Sequence, residues 1–341
     1  MDSDPDSAAP AAATATPPTS ADVARLAGVS RATVSFVLND TAGGRVGEQT
    51  RARVRAAAEQ LGYVPHAAAR SLRAGRTGLV LLVGSTAPIG PLFSGFYREL
   101  QESLHRRGYT AVLLGPTPGT GADAARSWAE LRPAAVLSLA GGLSPEGVRL
   151  LHRSGTRAVF TLGASRVAGA HTLTLDQRRV GACAAAHLLE RGRRRIGVVV
   201  PRDPALALFG EPRLAGVRAA LGDLPVQPLP LDLTEQSGAE LASQCREFAL
   251  DGIFGYNDEY AMLAHRALQD AGFRLPGEVA LVGADDLLLA RLLRPRLTSV
   301  RMRLPSGEDL AALVDHAVDS PDAPLLDRDI TTVELVARES S

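Results

Sequence analysis

Asp22-Val23-Ala24-Arg25-Leu26-Ala27-Gly28-Val29-Ser30-Arg31-Ala32-Thr33-Val34-Ser35-Phe36-Val37-Leu38-Asn39 decides how this chain begins. Thr19 and Ser20 stand just before the first helical run, where either hydroxyl can cap orphan backbone N–H groups. Gly28 stops that helix, and Ser30 opens a second over Arg31 to Leu38. Two short helices joined by a three-residue turn containing Gly form a helix-turn-helix. In the second helix Val34, Val37 and Leu38 fall at i, i+3 and i+4 and predict a buried stripe. Arg31, Ala32, Ser35 and Phe36 lie on the other face, whose N-terminal end is the part such a motif pushes into the major groove. A third helix is predicted over Gln49 to Leu61, closed by Gly62, with Val54, Ala58 and Leu61 inward and Arg51 and Arg55 available to phosphate.

The charge distribution agrees with that reading. The 341 residues carry zero formal net charge, yet Ser20 to Arg76 holds nine arginines against four acidic residues, a local excess of +5. Such asymmetry marks one end of a chain for a polyanion. Every basic residue is Arg, a compositional bias rather than a mechanism. Residues 1–18, acidic and then rich in Ala, Pro, Thr and Ser, read as a disordered tail with neither the basic start nor the apolar run of a signal peptide. No apolar run reaches about 18 residues, so no membrane helix is predicted. Cys183 and Cys245 match no metal spacing and read as buried thiols of a cytoplasmic protein.

After Tyr63-Val64-Pro65-His66, where Pro65 interrupts helix, residues 67–73 form a short helical stretch. Alone it is marginal, because helix nucleation is costly, so it reads as a hinge helix over 65–76 that forms on docking. From residue 77 onward, short apolar runs such as Leu79 to Val83, Ala134 to Leu139, Ile196 to Val200 and Val279 to Val282 alternate with amphipathic helical stretches. This alternation predicts parallel sheets covered by helices. The expected fold is therefore an α/β body of two doubly wound parallel-sheet subdomains behind a small all-α helix-turn-helix domain at 19–64.

The run from Asp22 to Ser30, together with Thr33-Val34-Ser35, Val37-Leu38-Asn39, Arg45-Val46, Thr50-Arg51, Leu61-Gly62-Tyr63, Pro65 and Ala69-Arg70-Ser71-Leu72, resembles the LacI/GalR family of bacterial transcriptional regulators. The resemblance implies a body like a periplasmic sugar-binding protein, with a ligand cleft between its lobes. It places the lobes at about 77–163 with 299–323 and 164–298 with 324–341, crossing near Gly163, near Thr298 and before a last strand at 330–337. It implies base reading by Arg31, Ala32 and Phe36, and phosphate contact or support from Ser30, Thr33, Ser35, Asn39 and Arg51. Leu72, with Ala69 beside it, aligns with a leucine wedged into the minor groove. For the effector it offers Phe93, Arg213, Asn257 and Asp285, with Asp258 as a helix cap.

The expected function is that of a cytoplasmic, nucleoid-associated homodimeric repressor on a near-palindromic double-stranded DNA operator. A small molecule, a sugar or related metabolite, controls it, with the sign of the control left open. No cofactor, metal or membrane contact is expected. Three positions depart from the family pattern. Gly47 stands where the family often has a Ser capping the third helix, a loss of about a few tenths of a kcal/mol. Phe36 stands where a charged donor is frequent, so it either touches a thymine methyl or packs on its own domain. Gly163 stands where many members place a sugar-binding Asp, which argues against an ordinary sugar. Phe93 is open to ring stacking or to the core. A transported-solute binder lacks a use for the head, and no phosphate loop, G-x-S-x-G turn or H-E-x-x-H supports an enzyme.

Overall fold

The computed structural model describes residues 17–38, 46–64, 77–88, 90–115, 121–139, 142–164 and 166–341. Two compact units divide the chain at residues 77 and 78. In the first, α1 (Ser20–Ala27), α2 (Arg31–Leu38) and α3 (Glu48–Leu61) surround a small core in which Val23, Val34 and Val54 are almost wholly buried. Each such side chain contributes about 1.5–3 kcal/mol of burial. The predicted punctuation is present. The Asp22 carboxylate accepts from both the N–H and the hydroxyl of Thr19, and the Ser30 hydroxyl accepts from Thr33 N–H at 3.1 Å. Gly28 (φ 65°) and Gly62 (φ 62°) close α1 and α3 in the left-handed region, which disfavours any side chain. Gly47 starts α3 with no side-chain cap.

The second unit holds two six-stranded sheets among the described residues. The first lobe builds on β1 (Leu79–Val83), β2 (Thr110–Leu114), β3 (Ala135–Leu139), β4 (Ala158–Gly163), β5 (His171–Thr174) and β11 (Asp327–Asp329), ordered β11-β5-β4-β3-β1-β2 and parallel throughout. The second uses β6 (Ile196–Pro201), β7 (Val226–Leu231), β8 (Gly252–Phe254), β9 (Ala280–Ala284), β10 (Thr298–Arg303) and β12 (Thr332–Val336), ordered β12-β10-β9-β8-β6-β7. Only the β10–β12 pair there is antiparallel. Helices α4 (Pro91–Arg106), α5 (Ala122–Glu130), α6 (Pro145–Arg153) and α11 (Gly307–Asp319) belong to the first lobe. The second carries α7 (Arg178–Glu190), α8 (Ala207–Leu221), α9 (Glu235–Glu247) and α10 (Asp258–Asp270).

The lobe boundaries differ from the sequence expectation. The chain leaves the first sheet after β5, at residues 175–177 rather than at Gly163, and returns after β10, at 304–306 rather than at Thr298. β5 reads His-Thr-Leu-Thr, and β11 reads Asp-Arg-Asp, so neither shows the apolar run by which a strand is recognised. The crossings are tied together: Asp176 N–H donates to the Thr331 hydroxyl at 2.7 Å, and Ile330 N–H to the Thr174 carbonyl at 3.0 Å.

The closest packing in the second lobe joins α7 to α8. A Cβ on Gly181 would sit 1.9 Å from the Arg213 carbonyl oxygen, and one on Gly216 would sit 2.0 Å from that of Arg178. The two helices approach backbone to backbone, at a separation no other residue permits. We predict that Gly216→Ala forces them apart at a cost of about 1–3 kcal/mol or more, seen as a Tm lowered by several degrees in a thermal melt.

Candidate functional site

The head presents its exposed face as expected. Arg31 and Ala32 are exposed at the start of α2, Thr33 and Ser35 are half-buried, and Ser30 is exposed while its hydroxyl caps the helix. Phe36 is 48% exposed and lies outside the head's core, which settles its placement in favour of the outer face. With Ser20 from α1, the side chains of Arg31, Ala32, Ser35 and Phe36 line a concavity of about 420 Å³. Arg31 supplies the fork that can pair with a guanine edge, and Phe36 an apolar surface for a thymine methyl. Arg51 donates from Nε to the Val46 carbonyl at 3.2 Å, so part of its guanidinium supports the segment leading into α3. Asn39, Ala69 and Leu72, and the hinge segment 65–76, lie outside the described residues.

Between the lobes of the second unit lies a cavity of about 430 Å³. Phe93 from α4 and Phe209 from α8 both line it and touch one another as a tilted aromatic pair, ring centroids 6.3 Å apart. Gly163, at the end of β4, is on its wall. Phe93 therefore belongs to the cleft and also packs against the core.

The other three residues offered for the effector occupy different surroundings. Arg213 is 5% exposed in α8, held there by the Gly181–Gly216 contact. Its Nε donates to Gln177 Oε1 at 3.0 Å, one terminal nitrogen to the Tyr256 carbonyl at 2.8 Å and the other to Asp285 Oδ1 at 3.4 Å. The guanidinium also lies 4.9 Å from the Tyr256 ring centroid. Arg213 and Asp285, each offered for the effector, thus come together as partners of one another. Asn257 corrects an expectation. Its Oδ1 accepts from Tyr260 N–H at 3.0 Å and caps α10, while Asp258, expected as that cap, is fully buried. Asp258 instead accepts from the Ser299 hydroxyl at 2.7 Å and from Leu287 N–H at 2.6 Å, joining β10 to the segment after β9.

That segment is bent by two successive left-handed residues, Asp285 (φ 91°) and Asp286 (φ 50°). A non-Gly residue there costs on the order of 1–3 kcal/mol. The bend sends Asp285 towards Arg213 and Asp286 into Arg301, Arg338 and Arg291. Burial pushes the Asp286 carboxyl up, but hydrogen bonds from Arg338 and Arg301 outweigh it and hold the group below its ordinary value. Sequence reading missed this cluster, because its arginines are dispersed over some fifty positions; Asp286 beside Asp285 was the available signal.

These geometries match known proteins. The family model described as bacterial regulatory proteins, lacI family, matches residues 19–66, and one for a periplasmic binding protein-like domain matches 185–341. The regulator CelR of Thermobifida fusca is 31% identical over 95% of this chain and 98% of its own. The chain belongs to the LacI family. It is a sequence-specific DNA-binding transcription regulator and not an enzyme. A solved CelR–cellobiose complex superposes with a TM-score of 0.62 at 28% identity, covering 95% of this chain and all of that one. The lac repressor dimer bound to operator and the anti-inducer ONPF gives 0.75 at 21% identity, covering 95% and 99%, which shows the fold. Among the described residues no helix is long and apolar enough to cross a membrane, and no group of three or more His, Cys, Asp or Glu is placed to hold a metal.

Burial pushes the Asp258 carboxyl up to about 7, against the lowering effect of its hydrogen bonds from Ser299 and Leu287. The folded chain therefore keeps a proton that the unfolded chain releases near pH 4. Its stabilising effect is full below that pH and is lost as pH rises through about 7, with a slope of at most about 1.4 kcal/mol per pH unit. We predict that Asp258→Asn, which can still accept from Leu287 and donate to Ser299, removes this slope. Its Tm relative to the parent should climb between pH 5 and 8, and a difference independent of pH would refute the assignment.

Proposed function

We propose that this regulator is a homodimeric repressor, acting at the nucleoid, whose two heads occupy the half-sites of a near-palindromic operator and whose grip is set by a small molecule in the inter-lobe cleft. The observation that carries the reading is a cleft lined from both lobes, where Phe93 of one meets Phe209 of the other. A ligand there has different contacts in open and closed arrangements, and only such differential affinity can shift a conformational equilibrium. The tied crossings at 175–177, 304–306 and 330–331 are the hinge about which the lobes would turn.

Operator reading falls to Arg31, Ala32 and Phe36, with Ser30, Thr33, Ser35, Asn39 and Arg51 towards the backbone and the Leu72 wedge, beside Ala69, at the centre. In the lac repressor structure a dimer sits on operator. Two exposed apolar surfaces of this chain suit a second copy. Leu288, Leu289 and Leu292 are 70%, 53% and 63% exposed beside one another in sequence, and Val112 and Leu113 are exposed on β2, an edge strand without proline. The corresponding edge of the second sheet, β7, is blunted by Pro228 and Pro230.

The experiment is a map of bound DNA sites followed by affinity measurements on the site found. Arg31→Ala should cost about 1–3 kcal/mol and relax preference at one position of each half-site. Leu72→Ala should lose both affinity and DNA bend, and full retention of the two would remove the wedge from the reading. For the dimer, Leu289→Glu is expected to shift the chain towards monomer in sedimentation and to weaken binding to the two-half-site operator far more than to an isolated half-site.

A further inference from the structure

The wall of the cleft is mostly apolar. Its described lining is dominated by Phe93, Leu139, Leu162, Leu175, Leu208 and Phe209, and it contains no ionisable side chain. Two polar side chains reach it, and both are engaged. Gln177 accepts from Arg213 Nε at 3.0 Å and donates to Met302 Sδ at 3.4 Å, while the Thr161 hydroxyl donates within its own sheet towards the His171 carbonyl and the Thr172 hydroxyl. Arg213 and Asp285 neutralise each other outside that lining.

We infer that the cleft takes an uncharged, planar and mostly hydrocarbon small molecule carrying at most one or two hydrogen-bonding groups. The inference rests on the reading of this cleft as the effector site. A sugar entering it would give up hydrogen bonds to water for a mostly apolar wall, and each buried hydroxyl left without a partner opposes binding. A carboxylate or phosphate would meet no counter-charge on the described lining. An aromatic ring gains on both counts, because its faces need no hydrogen bonds and the touching Phe93–Phe209 pair, one ring from each lobe, offers it an aromatic surface. A volume of about 430 Å³ suits a ligand of that kind. Contact with Phe93 and Phe209 together also makes its affinity depend on how the lobes stand, which is the property an effector needs.

The test uses the full chain and the uncharged fluorophore N-phenyl-1-naphthylamine, beside ribose, galactose and cellobiose at millimolar concentration. Ala164→Trp is the blocking variant: Ala164 is exposed on the cavity's rim, so the indole fills the space without disturbing the core. The expected result is saturable fluorescence at one probe per chain, weakened at least about tenfold by Ala164→Trp, with no sugar displacing the probe or raising Tm. Saturable sugar binding that Ala164→Trp abolishes would overturn the ligand class and leave the cleft as effector site. Probe and sugar responses that are both absent, or both indifferent to Ala164→Trp, would overturn the ligand class and the effector cleft together.

Discussion

The contact between α7 and α8 governs the second lobe. With glycine on both sides, at Gly181 and Gly216, each helix lies against a backbone carbonyl of the other. Packed interiors do not stretch to accommodate an added methyl group, so this contact sets how closely α8 lies against α7. Arg213 rides on that helix, and so does Phe209 one turn earlier. The first crossing runs directly into α7, which brings Gln177 to Arg213 Nε. One steric constraint thus places the wall of the cleft, its underlying ion pair and the segment that joins the lobes.

The charges beneath the cleft are arranged to cancel. Asp285 faces Arg213, and Asp286 faces Arg301 and Arg338, across a turn whose left-handed backbone separates the two carboxylates. Breaking one partner of such a buried set leaves a charge without compensation, which is more damaging than the pair is stabilising. The network therefore specifies geometry more than it adds stability. It holds the C-terminal end of β9 against β10 and β12, while Asp258 bonds Ser299 on β10 from α10.

The head works by a different principle. Its three helices have so little core that caps and left-handed glycines matter, and the structure uses Thr19 with Asp22, Ser30, Gly28 and Gly62 for those purposes. What the core does not consume is displayed: Arg31, Ala32 and Phe36 project from α2 because Val34 and Val37 face inward. An exposed phenyl ring is tolerable on so small a domain when a partner surface covers it in the bound state.

The head could be read from sequence almost residue by residue, because its determinants are local: helical periodicity, hydroxyl caps and glycines requiring positive φ act within a few positions. The alternation of apolar runs likewise announced two parallel sheets. The lobe boundaries were not legible, since β5 and β11 owe their place to backbone pairing across more than 150 residues and carry no apolar pattern. Side-chain direction escaped for the same reason. Asn257 and Asp258 are adjacent, and only the position of Ser299 and Leu287 decides which one caps and which is buried. The sequence by itself determined a DNA-reading head and a two-lobed body. Only the tertiary structure decided that Arg213 meets Asp285 and that the described lining of the cleft is mostly apolar, because both depend on contacts between segments that meet only when the sheets are built.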